Sequence, residues 1–169
     1  MYHRLISILV FVAMSLLPPE CLARVTDKHS LEEAIKNGCV TLEWSCSYVV
    51  SGTKVAEQGT AYLQGNCFRV ESETLANISD GSSLWLVDKA AKEVVVEKSF
   101  GGDMISSIMR DAKLIFDNSG NLSSGEYVTR EGIRISFKFS ALKELPRLQE
   151  QFFSGSDFSG KDWIVTEAD

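Results

Sequence analysis

Histidine and proline are scarce in this chain, two and three residues respectively, and the 17 lysines and arginines are outnumbered by 23 aspartates and glutamates. The resulting formal charge of −6, with no cluster of basic residues, argues against a nucleic-acid partner, because such binding needs grouped cations to displace counterions. A glycine-rich phosphate loop, a nucleophile elbow and a Cys-His pairing are all missing. His29 has no cysteine or second histidine at ligand spacing, so neither a metal nor another cofactor is expected. No catalytic residue is assigned and the chain is not expected to be an enzyme, although two carboxylates that meet only in space would leave no trace in the sequence. The acidic residues fall in turns and on polar strand faces, where solvation is the ordinary explanation. Beyond the N-terminus no apolar run approaches the roughly 20 residues a membrane-spanning helix needs.

What is present begins with that N-terminus. His3 and Arg4 precede an apolar run from Leu5 to Leu17, followed by Pro18, Pro19 and Cys21-Leu22-Ala23, the layout of a secretory signal peptide. Residues 1–23 are therefore expected to be removed and 24–169 to form a single exported domain, periplasmic in a bacterium. Lipidation of Cys21 is disfavoured because the preceding residue is Glu20, not a small one. Cleavage leaves Cys39, Cys46 and Cys67, an odd set compatible with one disulfide and a free thiol, or with three small buried apolar residues.

The remainder, in a chain 44% hydrophobic, reads as a mainly β fold with short helices. Ser30 with Glu33 three residues on suggests a capped helix that Asn37-Gly38 ends. From Val40 the period becomes two, placing Val40, Leu42, Trp44, Cys46 and Tyr48 on one face of a strand. A second extended run from Thr60 to Glu71, kinked at Gly65-Asn66, should form a hairpin with it. Short strands follow at 75–78, 84–88 and 94–97, then an amphipathic stretch with Met104, Ile105, Ile108 and Met109 on one stripe. Strands return at 112–117, around 125–129 and at 133–140, where Ile133, Ile135, Phe137 and Phe139 alternate with polar residues. Leu142, Leu145, Leu148, Phe152, Phe153 and Trp163-Ile164-Val165 are candidate anchors of an irregular tail.

One-sided strands with only short helices must curl or be covered to hide their apolar face. A cavity lined by Leu42, Trp44, Leu63, Phe68, Val70, Leu114, Phe116, Phe137 and Phe139, under a lid of Met104, Ile105, Ile108 and Met109, could hold hydrocarbon at about 0.8 kcal/mol per methylene. Ordinary packing of a helix on a sheet produces the same pattern, so periodicity alone leaves both readings open.

Three stretches, GTAYLQGNCFRVE at 59–71, ISDGSSLW at 78–85 and KEVVV at 92–96, resemble in order and spacing the LolA-like family of periplasmic lipoprotein carriers. Leu42-Glu43-Trp44 is similar to that family's first-strand aromatic, and 139–142 and 153–165 to its C-terminal end. The resemblance implies an incomplete, strongly curved β-barrel capped by short helices, and a monomeric carrier or chaperone of lipoprotein acyl chains or another lipid. It also implies an inner-membrane release complex and an outer-membrane receptor as partners. The chain departs from the pattern in a short first helix, in the lack of a strand pair between Lys98 and Ala112, and in Gly65 where the proteobacterial carrier has a lid-binding arginine, with Arg69 nearby. A non-transporting envelope module for lipid or protein contacts is the alternative.

Overall fold

The computed structural model describes residues 25–50, 52–98, 110–128 and 132–168. The expected signal peptide and the lid residues Met104, Ile105, Ile108 and Met109 lie outside them.

Helix α1 spans Lys28–Asn37. Its cap is Asp27, one turn before the expected Ser30: the Asp27 carboxylate accepts from the Ser30 N–H at 2.8 Å, and Ser30 Oγ accepts from the Asp27 N–H at 3.0 Å. An Asp-x-x-Ser sequence closes the reciprocal box as well as Ser-x-x-Glu does, and it wins here because it precedes the first turn. The Ser30 amide is the main reason the Asp27 carboxyl sits below the ordinary carboxylate range. At the other end, orphan carbonyls are met by distant segments, with Gly65 N–H donating to Ile35 O at 2.7 Å and Arg147 to Lys36 O at 3.1 Å. Leu31 and Ile35 are buried, each worth about 1.5–3 kcal/mol of transfer free energy.

Ten strands form one curved, open sheet: β1 Cys39–Val50, β2 Thr53–Gln64, β3 Cys67–Ser72, β4 Leu75–Ser79, β5 Ser83–Asp88, β6 Glu93–Lys98, β7 Lys113–Phe116, β8 Leu122–Val128, β9 Arg134–Leu145 and β10 Ile164–Ala168. The order is β10-β6-β5-β4-β3-β2-β1-β9-β8-β7, antiparallel except for β10, which joins β6 in parallel. The edges β7 and β10 do not meet, so the architecture is the expected incomplete barrel with short helices.

Two details correct the sequence reading. The run from Thr60 to Glu71 is two strands, because Gly65, at φ +56°, sits first in a two-residue turn that pairs Gln64 with Cys67. And β9 continues past Ser140 to Leu145 through a bulge at Ala141, φ +51°, where the β1 register shifts between Thr41 and Glu43. The extra residue flips the side-chain phase, so that Leu142 follows Phe139 towards the core while Ala141 and Lys143 face out.

The sheet is not dry on one side throughout. From β7 to β3 the apolar residues face α1, where Leu31 and Ile35 pack with Val40, Leu42, Ala61, Phe68 and Leu122. On β4 to β6 the buried residues Ala76, Ile78, Val87, Val94 and Val96 point the opposite way, under Trp85, Phe158 and Trp163. Leu84 is the exception that still reaches the helix-side core. The outer cover comes from the segment after β9, through two short 3-10 turns, Glu150–Phe153 and Gly155–Phe158. Phe153 is fully buried and Gly155 lies flat on the Trp85 indole, where a Cβ would come within 2.4 Å of two ring atoms. Of the expected tail anchors Ile164 and Val165 are not buried: they are 62% and 48% exposed on the edge strand β10, which holds by main-chain pairing.

Candidate functional site

The residues named from sequence as cavity-lining converge on the helix-side face. Leu42, Trp44, Leu63, Phe68, Val70, Leu114, Phe116 and Phe139 all belong to, or pack against, the same apolar cluster. Phe137 joins them by stacking on Phe139, ring centroids 6.0 Å apart and planes nearly parallel, as expected for side chains two apart on one strand. They are not equivalent. Leu42 and Phe68, each 5% exposed, are sealed under α1, whereas Trp44, Leu63, Val70, Leu114, Phe116, Phe137 and Phe139 are half-buried.

Phe139 also borders a cavity of about 670 Å³ at the end of this face, between the N-terminal arm, the β7–β8 turn and the β9 bulge. Its floor is apolar, formed by Val25, Leu122, Phe139 and Leu142, and Asp117, Asn121, Ser140 and Glu144 stand among its polar lining. The turn is fixed by the Asp117 carboxylate, which accepts from the Ser119 and Asn121 amides at 2.8 Å. Val25, Leu122 and Leu142 were not singled out from the sequence for this role. Leu122 follows a turn and Leu142 a bulge, both of which break the period that would have exposed them.

Two further hollows lie elsewhere on the sheet. One of about 730 Å³ crosses the sheet over β7, β8, β9, β1 and β2; Cys46, Ala56, Ile115 and Phe137 give it an apolar surface among Ser45, Ser47, Ser124 and Ser136. The other, about 490 Å³, lies beside Tyr62, Arg69 and Asp157. The second is mainly polar, whereas the first reaches the row of apolar side chains at Phe137.

Arg69 has a different task from gripping a lid. Its side chain, 12% exposed, points to the outer face, donates to Phe152 O at 3.1 Å and to Asp157 Oδ2 at 3.2 Å, and ion-pairs with Glu71. Its guanidinium lies over the Phe152 ring at 5.2 Å. Lys89 completes the chain at 2.7 Å from Glu71. Burial pushes the Glu71 carboxyl up, but hydrogen bonds from Lys89 and Arg69 outweigh it and leave the carboxyl below its ordinary value. The group clamps the C-terminal segment onto the sheet.

The ISDGSSLW stretch is likewise structural. Asp80 Oδ1 accepts from the amides of Ser82 and Ser83 at 2.8 Å, fixing the β4–β5 turn, and sends Leu84 to one core and Trp85 to the other. All three described cysteines are free thiols. Continuing the β1–β2 register places Cys39 two strand spacings from Cys67 across Gln64, roughly 10 Å, beyond disulfide reach. Burial is the main cause pushing each thiol up, aided by Glu57 at Cys46 and Asp80 at Cys67. Among the described residues no three His, Cys, Asp or Glu side chains are grouped closely enough to hold a metal ion, and no helix is long and apolar enough to cross a membrane.

No protein-family model and no curated protein matches this chain. Among solved structures it is similar to an uncharacterized conserved protein from Thermus thermophilus, with TM-score 0.52 and 11% identity over 81% of this chain and 94% of that one. A DUF1329 family protein from Desulfovibrio piger gives TM-score 0.48 and 9% identity over 78% and 96%. At these identities the first likeness speaks to fold alone, and the second is too distant in shape to argue from.

Proposed function

We propose that this chain is an exported, periplasmic carrier or chaperone that shelters acyl chains against the helix-side face of its open sheet. The observation that carries the reading is the row of half-buried apolar side chains beyond α1, from Trp44 through Phe139 and Phe137 to Leu114 and Phe116, ending at the 670 Å³ cavity with its apolar floor. A monomeric globular protein gains more by burying such a row outright than by leaving it half-covered. The signal-peptide pattern and the resemblance to LolA-like carriers support the same reading, and extend it to lipoprotein cargo with an inner-membrane donor and an outer-membrane acceptor.

Expression of the full chain in a bacterium, followed by mass spectrometry of what co-purifies from the periplasm, tests this. A carrier should yield stoichiometric acyl lipid and take up a fluorescent fatty acid saturably. Export without lipid, and no saturable uptake, overturns it. The tight packing of Leu42 and Phe68 under α1 favours the second reading, a non-transporting envelope module, for which the same experiments should find a dry core.

A further inference from the structure

Trp44 stands in the middle of the apolar row, its backbone paired with Gly59 on β2 and with Phe139 on β9. Its indole packs against the helix-side cluster, yet Nε1 is buried with no hydrogen-bond partner, the one such side-chain nitrogen or oxygen among the described residues. The two buried polar side chains among the described residues, Gln64 and Ser79, are treated differently. Gln64 both donates to and accepts from the backbone of Leu148, and Ser79 Oγ accepts from the Gly81 amide at 3.1 Å. An N–H taken out of water and left without an acceptor costs about 1–3 kcal/mol, more than one well-made hydrogen bond returns, and a phenylalanine would fill the same place without that cost. A buried indole normally finds a partner, and Trp44 holds a donor for which the described residues supply no acceptor.

We infer that Trp44 Nε1–H is a specificity-determining donor for the carbonyl oxygen of an acyl ester or amide, so that the site selects acylated lipids over plain hydrocarbon of equal length. The inference rests on the acyl-carrier reading and adds the polar half of recognition: the chain is held by area, the head by one hydrogen bond. A neighbour without a side chain at Gly59 and a flat one at Phe139 frame the indole on the two flanking strands.

The test compares dioctanoylglycerol with its dioctyl ether analogue, which keeps the hydrocarbon but lacks the carbonyls, against the wild-type chain and Trp44→Phe. The expected result is about tenfold tighter binding of the diester by wild type, the worth of one buried hydrogen bond, and equal binding of both lipids by Trp44→Phe. The indole N–H proton resonance of Trp44 should move downfield with the diester and stay in place with the diether, while those of Trp85 and Trp163 serve as internal references. That measurement needs no variant, so it holds even if Trp44→Phe misfolds. Equal affinity of wild type for the two lipids, a preference that survives in Trp44→Phe, or an unmoved Trp44 resonance with diester bound overturns the inference and leaves the carrier reading standing. Failure of wild type to bind either lipid overturns both.

Discussion

Replacing Arg69 by methionine should loosen the C-terminal segment by an amount that its contacts predict. The methionine keeps the apolar stem but removes three kinds of interaction. The Phe152 carbonyl loses its donor at 3.1 Å, which costs about 1–3 kcal/mol in a part-buried site. The stacking of the guanidinium over Phe152 at 5.2 Å contributes about 0.5–1 kcal/mol more. The ion pairs with Asp157 and Glu71 add little, since the Asp157 carboxylate is mostly exposed, Glu71 keeps Lys89 as a partner, and such pairs are worth about 0–1 kcal/mol. Together these give a loss of about 1.5–5 kcal/mol, dominated by the orphaned carbonyl rather than by the ion pairs. Urea denaturation should show a lower midpoint with an unchanged slope, and amide hydrogen exchange should accelerate first in residues 150–168. Asp157→Asn alone should cost less than about 1 kcal/mol. A loss below about 1 kcal/mol for Arg69→Met, or one matched by Asp157→Asn, would refute the clamp.

Gln64→Leu, which deprives the Leu148 N–H and C=O of their partners, should cost about 2–5 kcal/mol in the same denaturation assay, although it adds apolar surface. Gly155→Val should displace the Trp85 indole and be seen as a change in near-ultraviolet circular dichroism with a lowered melting temperature. Because the folded Glu71 carboxyl lies below its ordinary value of 4.5, its stabilisation is present above that pH and is lost as pH falls through the folded value. Acid titration of Glu71→Gln should therefore give a flatter stability curve below about pH 4.5 than wild type. Leu42→Ala should cost about 2–5 kcal/mol and leave lipid uptake per folded molecule unchanged, whereas Phe137→Ala should cost about 1–2 kcal/mol and weaken uptake; equal effects of the two on uptake would dissolve the distinction between core and site.

The alternations that survive in the folded chain are those of strands with one wet face. β9 is the clearest case: Ile135, Phe137 and Phe139 are half-buried, and Arg134, Ser136, Lys138 and Ser140 are exposed, as the period of two requires. Legibility fails where covalent sequence does not encode which side is covered. Val94 and Val96 carry the same alternation as Phe137 and Phe139, yet they are buried on the opposite face, because a segment some sixty residues downstream in the chain folds over them. Trp163-Ile164-Val165 reads as an anchor by composition, but only Trp163 packs inward; parallel pairing to β6 gives Ile164 and Val165 their place without burying them. The candidate site divides likewise. The strand residues of the cavity wall could be named from their spacing, whereas Val25, Leu122 and Leu142 depend on an arm, a turn and a bulge whose positions no local period announces.

This two-sided burial bears directly on how an open sheet can keep an apolar face half-covered and still be stable. Were the whole fold to rely on the helix-side core, filling that core completely would be the cheapest source of stability, and little surface would remain for a ligand. Here the outer cluster of Ala76, Ile78, Val87, Val94 and Val96, sealed by Phe158, Trp163 and the Arg69 clamp, stabilises β4 to β6 from the face opposite α1. Gln64 ties that same covering segment to β2, and Arg147 ties it to the end of α1. The curved frame is thus braced from outside, and among the described residues Trp44, Phe137 and Phe139 stay half-buried on strands held in place from that side. Bracing of this kind lets part of the sheet's stability come from the face opposite α1, the physical condition that the proposed carriage of hydrocarbon requires.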